Sequence, residues 1–207
     1  MTPVSLGAQP PSLILTVCTG NICRSPLAEQ LIRARLSKAG IGNFSVGSAG
    51  LNAAVNAPME PLPAALSTEY GGNSAGSFGK QITEVLVGEA ELVLTMTRKQ
   101  RDELVKKYPG AAQQTFTMAE FVRAAESLPL GQSLPPAPSW AAVTGKGTDS
   151  GVAGLVRRIA AVRSTAELAD ADDIPDPINA TEAVHREVAH RIATYSDDVV
   201  SILGKHL

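Results

Sequence analysis

Residues 12–26 read SLILTVCTGNICRSP. The first seven form a continuous apolar, partly β-branched run, the pattern of a strand buried on both faces of a parallel sheet. TGNICRSP then breaks the run. LAEQLIRARLSKAG follows, with Ala28, Leu31, Ile32 and Leu36 on one helical stripe and Gly40 as a stop. The order is strand, loop, helix, and the loop region holds both cysteines of the chain, Cys18 and Cys23.

The same alternation continues outward. FSVGSAG (44–50) reads as a second strand, and PLPAALSTEYGG (61–72) as a short helix between prolines and paired glycines. A Gly/Ser loop spans 71–80. AELVLTM (90–96) reads as a third buried strand, TRKQRDELVKKYPG as a polar helix capped by Thr97 and stopped at Pro109, and QQTFTM (113–118) as a fourth strand. Strands alternating with helices predict an α/β domain around a parallel sheet. Residues 1–11 read as a loose tail and 12–207 as a single domain. From 127 to 173 the composition shifts to loop material with one helix, GVAGLVRRIAAVRSTAEL, carrying Val152, Leu155, Val156, Ile159 and Val162 at helical spacing. This reads as an insertion, expected to edit access to the site, with Trp140 as a lid or a plug. The last stretch, TEAVHREVAHRIATYSDDVVSILGKHL, places Val184, Val188, Ile192, Tyr195, Val199 and Ile202 on one stripe and reads as a packing helix.

Composition limits the partners. The 207 residues are 44% hydrophobic and 18% charged, with net charge -2, pI near 5.9 and mean hydropathy +0.05. Lys and Arg are scattered, so no broad basic face for nucleic acid or an anionic membrane is expected. Without a basic n-region, an apolar h-region or a run of about 18 apolar residues, the chain is expected in the cytoplasm. Two cysteines make no disulfide framework, and three histidines far along the chain offer no ligand pair at metal spacing. No metal or other cofactor is expected. His185 and His190 read as surface residues.

Cys18 lies where ligands of open parallel sheets gather, beyond the carboxyl end of a strand. The loop after it turns the first amides of a helix toward one spot, an anion site made without side-chain charge. Thr19, Gly20, Asn21, Ile22 and Cys23 contribute that backbone, Gly20 permitting a tight path and Asn21 holding its shape. Pro26 suits the first helical turn. Arg24 can grip two oxygens of a tetrahedral oxyanion. A thiol beneath such a ring is pushed toward thiolate and becomes a nucleophile in line with a phosphoryl group. Ser25 can donate a hydrogen bond to the sulfur.

Cysteine, five residues, arginine and serine directly behind a strand resembles the signature of the protein tyrosine phosphatases, and VCTGNICRSP near the start of a domain resembles their low-molecular-weight branch. The resemblance implies a three-layer α/β/α fold with a four-stranded parallel sheet, the phosphate-binding loop after the first strand, and no metal. It implies Cys18 as nucleophile, Arg24 as phosphate ligand, Ser25 as thiolate stabiliser and Asn21 as loop organiser. SAG (48–50) resembles the family's second-strand motif and implies Ser48 in the network under the loop. IPDPI (174–178) supplies the family's Asp-Pro pair, with Asp176 as the acid that protonates the leaving oxygen. A positioned acid contributes about 10²- to 10⁴-fold. The resemblance also implies that Cys23 can form a protective disulfide with the nucleophile; a plain packing role is the other reading of this thiol. Ile178 and Asn179 follow the Asp-Pro pair where many relatives carry an aromatic, Leu51 and Asn52 follow SAG, and Ser77 lies roughly where some carry a supporting histidine.

The preferred reading is a phosphomonoester hydrolase acting on phosphotyrosine in proteins, or on small aryl phosphates, through a cysteinyl-phosphate intermediate. The alternative is an arsenate reductase using a small-molecule thiol. A silent phosphate-binding module is the third reading, disfavoured by the nucleophile, arginine and acid together.

Overall fold

A computed structural model of the chain describes residues 10–128, 151–165 and 168–206. Its centre is β1 (Ser12–Cys18), which pairs in parallel with β2 (Phe44–Gly50) on one side and β3 (Ala90–Thr95) on the other. A short β4 (Thr115–Thr117) pairs in parallel with β3, so the order is β2-β1-β3-β4. Successive β1 side chains point to opposite faces, as the pleat requires. Ile14 and Cys18 join Leu92, Leu94 and Phe116 in one core, whereas Leu15 and Val17 join Val93 and Ala49 in a second.

The larger core is covered by α1 (Arg24–Lys38), α2 (Pro61–Glu69), α5 (Met118–Glu126), α6 (Gly151–Val162) and α7 (Glu182–His206). The smaller is covered by α3 (Glu84–Glu89) and α4 (Arg98–Lys107), through Val87 and Leu104. The result is the three-layer α/β/α fold with a four-stranded parallel sheet.

Most elements sit where the sequence pattern places them, and Thr97 caps α4 by accepting from Gln100 N at 3.2 Å. Two helices are additional. α3 follows Thr83, whose hydroxyl accepts from Leu86 N. α5 begins where the predicted fourth strand was drawn to end, and its signal is a capping box: Thr117 Oγ1 accepts from Glu120 N at 3.0 Å while the Glu120 carboxylate accepts from Thr117 N at 3.2 Å.

Helix α6, in the stretch that the sequence reads as an insertion, is a core element. Val152, Leu155, Val156 and Ile159 are buried against α5 and β3, and Val162 is half-buried. Just beyond it, Arg163 donates to Glu120, which also pairs with Arg101. A carboxylate this deep is tolerable only with such partners. Trp140, most of the proline-rich stretch and residues 1–9 lie outside the described residues. Among the described residues, no helix is long and apolar enough to cross a membrane.

Candidate active site

The chain leaves β1 for β2 on one side and later enters β3 on the other, so a crevice opens beyond the carboxyl ends of β1 and β3, the place for a ligand in such a sheet. The loop after Cys18 lies at that point. Its carbonyls are drawn outward: those of Cys18, Thr19, Gly20 and Ile22 accept from the amides of Leu51, Asn52, Ala54 and Glu60 at 2.9 to 3.0 Å. With these oxygens taken up outside, the loop's amides are not needed by its own carbonyls, and that of Asn21 points to the Cys18 sulfur. α1 starts with no side-chain cap, Cys23 being its N-cap, so its first amides are also left for an anion. This outer collar approaches so closely that a Cβ on Gly79 would lie 2.1 Å from Ala54 O, and one on Gly50 would lie 2.5 Å from Thr19 O.

Inside the loop the sulfur of Cys18, 2% exposed, lies 2.9 Å from Ser25 Oγ and accepts from Asn21 N at 3.3 Å. Ser25 Oγ also accepts from Asn21 Nδ2 at 2.9 Å, while Asn21 Oδ1 accepts from Lys80 N at 2.7 Å. That pairing fixes which way the Asn21 amide points. The single Ser25 hydroxyl proton can go to the Ala49 carbonyl, a long 3.4 Å away, or to the sulfur. A thiolate only accepts, so ionising Cys18 directs the proton to sulfur. Asn21, not Gly20, is the left-handed residue, with φ of 55°. Gly20 has no positive φ, and the nearest atom to a Cβ there would be 3.6 Å away, so the loop's path does not depend on it as the sequence suggested.

Ser48 is not placed in this network. Its hydroxyl donates to Glu29 of α1, and β2 reaches the loop through the neighbouring Ala49 carbonyl. The reason is the pleat: Ser48 and Ala49 point to opposite faces, and the backbone oxygen is what meets Ser25. Segment 77–81 supports the loop through the backbone of Lys80 rather than through Ser77. Two supports escaped the sequence reading. Thr16, fully buried on β1, donates to Ser25 O at 2.8 Å, and Gln100 of α4 donates to Thr19 Oγ1 at 3.1 Å. A polar residue inside the apolar β1 run was the available signal for Thr16; for Gln100 there was none, since its partner is 81 residues away.

Arg24 is 4% exposed and sits at the first turn of α1. One terminal nitrogen donates to Ile174 O at 3.1 Å, the other to Asp176 Oδ2 at 2.5 Å, and the buried Nε has no acceptor. A guanidinium whose buried Nε is unsatisfied is prepared for an acceptor that enters the site. Asp176 itself is half-exposed, and its other oxygen accepts from Ile178 N at 3.2 Å, closing a turn around Pro177. The loop of Asp176 therefore reaches the loop after Cys18 across 152 residues. Asp170 and Asp173 pair with Arg98, and Asp172 with Arg123. Cys23 lines a small crevice with Leu27, Pro63, Leu66, His185 and Val188. Burial above all, helped by the negative charges of Cys18, Glu60 and Asp176 and opposed by Arg24, pushes its thiol up to about 12. Both cysteines are free thiols. Among the described residues, no cluster of His, Cys, Asp or Glu could hold a metal ion.

Residues 13–131 match the family model of the low molecular weight phosphotyrosine protein phosphatases. The chain belongs to that family. Among its relatives, the probable low molecular weight protein-tyrosine-phosphatase EpsP of Ralstonia nicotianae is 35% identical over 107 residues, covering 52% of this chain and 70% of the relative. A protein-arginine-phosphatase of Bacillus subtilis is 34% identical over 111 residues, covering 53% and 71%. Among solved structures, an arginine phosphatase from Geobacillus stearothermophilus superposes with a TM-score of 0.64 at 25% identity, covering 94% of each chain. This phosphatase is a hydrolase, and its relatives do not favour arsenate reduction. The family model ends before Asp176, which meets the site through its contact with Arg24.

Proposed function

We propose that this phosphatase hydrolyses phosphate monoesters on proteins, with phosphotyrosine as the preferred residue, using Cys18 as nucleophile, Arg24 as phosphate ligand and Asp176 as acid and base. The observation that carries the assignment is the Arg24 guanidinium, buried at the loop that holds the Cys18 sulfur, with Nε unpaired and one arm on Asp176. An incoming phosphate takes the guanidinium and the loop amides, which releases Asp176 toward the ester oxygen. The Cys18 thiolate, stabilised by Ser25 and Asn21, then attacks phosphorus. The S–P bond forms as the bond to the ester oxygen breaks, and Asp176 gives that oxygen its proton. In the second step Asp176 takes a proton from water, whose oxygen attacks phosphorus; phosphate leaves and the thiolate returns.

Half-buried Ile22 on the loop and Ile178 after the acid, 43% exposed, supply aliphatic walls for a phenyl ring. Contact of that kind, rather than aromatic stacking, would hold phosphotyrosine. Free thiols at the site suit a reducing cytoplasm. Residues 12–207 are read as one domain, with 127–173 inserted into it.

Hydrolysis of an aryl phosphate by wild type, Cys18→Ser and Asp176→Asn, beside thiol-dependent arsenate reduction, tests the assignment. Cys18→Ser should lose all turnover and Asp176→Asn about 10²-fold or more. Full activity in Cys18→Ser, or arsenate reduction exceeding hydrolysis, would sink it. Phosphotyrosine and phosphoarginine peptides compared in the same assay decide the side chain: faster turnover of phosphoarginine refutes the tyrosine preference.

A further inference from the structure

Three of the four aspartates near the end of the insertion are not at the Arg24 site; Asp172 pairs with Arg123 of α5, and the contacts of Asp170 and Asp173 converge on one turn of α4. Asp173 lies over the N-terminus of α4, where Oδ1 accepts from the backbone amide of Arg98 at 2.9 Å, and the Arg98 side chain reaches Asp173 at 3.4 Å and Asp170 at 2.6 Å. A carboxylate there satisfies an otherwise unpaired amide and meets the positive end of the helix dipole. The next residue, Ile174, has both backbone groups tied, its N–H to Met96 O at 2.9 Å and its carbonyl to Arg24 at 3.1 Å. Only Pro175, with fixed φ, then separates it from Asp176. The same turn of α4 carries Gln100, which holds Thr19 of the phosphate loop.

We propose that Asp173 is a positioning residue for the reaction, docking on the first turn of α4 with Arg98 so that Asp176 is held in register with the loop that carries Cys18. The turn touches both loops, so it bears on the distance between acid and nucleophile beside the direct contacts of Arg24 with Ile174 and Asp176. This inference rests on Asp176 being the general acid. Misplacing a catalytic group by about 1 Å costs up to 10²-fold, and the loss falls on the step that needs the proton.

The test uses the full chain and kcat/KM, which reports on formation of the cysteinyl-phosphate. Two substrates are compared: 4-nitrophenyl phosphate, whose phenolate leaves readily, and phenyl phosphate, whose phenolate needs the proton. Asp173→Ala should slow phenyl phosphate about tenfold more than 4-nitrophenyl phosphate. Asp173→Asn, which keeps an acceptor for the Arg98 amide, should recover most of that difference. The difference should vanish when Asp173→Ala is combined with Asp176→Asn. General loosening would slow both substrates alike and would act equally in both backgrounds; that outcome overturns the inference. Arg98→Met carries the same comparison if Asp173→Ala fails to fold. Discrimination by Asp176→Asn with none by Asp173→Ala or Arg98→Met overturns the positioning role alone. Absence of discrimination in Asp176→Asn overturns the acid assignment and this inference with it.

Discussion

Replacing Asn21 by alanine removes the side chain that ties the phosphate loop to its collar. Two hydrogen bonds go, Nδ2 to Ser25 Oγ at 2.9 Å and Lys80 N to Oδ1 at 2.7 Å, at a residue 1% exposed. A typical bond contributes about 1 kcal/mol net, and a buried partner left unpaired raises the loss to about 1–3 kcal/mol. Alanine must also hold the left-handed φ of 55°. An L-residue pays about 1–2 kcal/mol there, and asparagine is among the side chains that relieve that cost. Asn21→Ala should therefore destabilise the protein by about 3–5 kcal/mol, a large part of a domain's usual stability. Asn21→Gly loses the same bonds but accepts the backbone, and should lose about 1 kcal/mol less. Urea unfolding of the three proteins, with aryl phosphate hydrolysis measured alongside, separates the two contributions. If Asn21→Ala loses less than about 1 kcal/mol, or if the glycine variant is no milder, the loop is held by something other than this side chain and its backbone.

The raised Cys23 thiol has a pH signature. The unfolded chain ionises near 9.0 while the folded one keeps the proton until about 12, so stability should fall as pH rises through that window. The slope is at most about 1.4 kcal/mol per pH unit, and urea unfolding on either side of the window should show it in wild type and not in Cys23→Ala. An equal slope in both proteins contradicts the assignment. Gly79→Ala puts a Cβ 2.1 Å from Ala54 O, so the collar must shift, and thermal unfolding should register about 1–3 kcal/mol together with slower hydrolysis. Ile159→Ala, at a fully buried position of α6, should cost about 2–5 kcal/mol in the same measurement. A neutral result there would mean that the inserted helix is not part of the cooperative core.

Local pattern alone was enough to read β1, its loop and α1, because the signals lie within a few residues of one another. An apolar run selects a buried strand. A cysteine and an arginine in a strand-to-helix loop point to anion chemistry. The capping box at Thr117 and Glu120 is equally local, and it marks a helix where a strand's end had been drawn. Tertiary structure decided what depends on partners far along the chain. It brought Asp176, of four nearby aspartates, onto Arg24, sent Ser48 to Glu29 instead of the loop, and put Gln100 and Arg98 on the two loops they join. It also turned the inserted helix into core, because the apolar stripe of α6 found α5 and β3 to bury against. Spacing along the chain records which residues share a face. Which groups meet between distant elements is settled only when the sheet order and the burial of opposing faces bring them within hydrogen-bond reach.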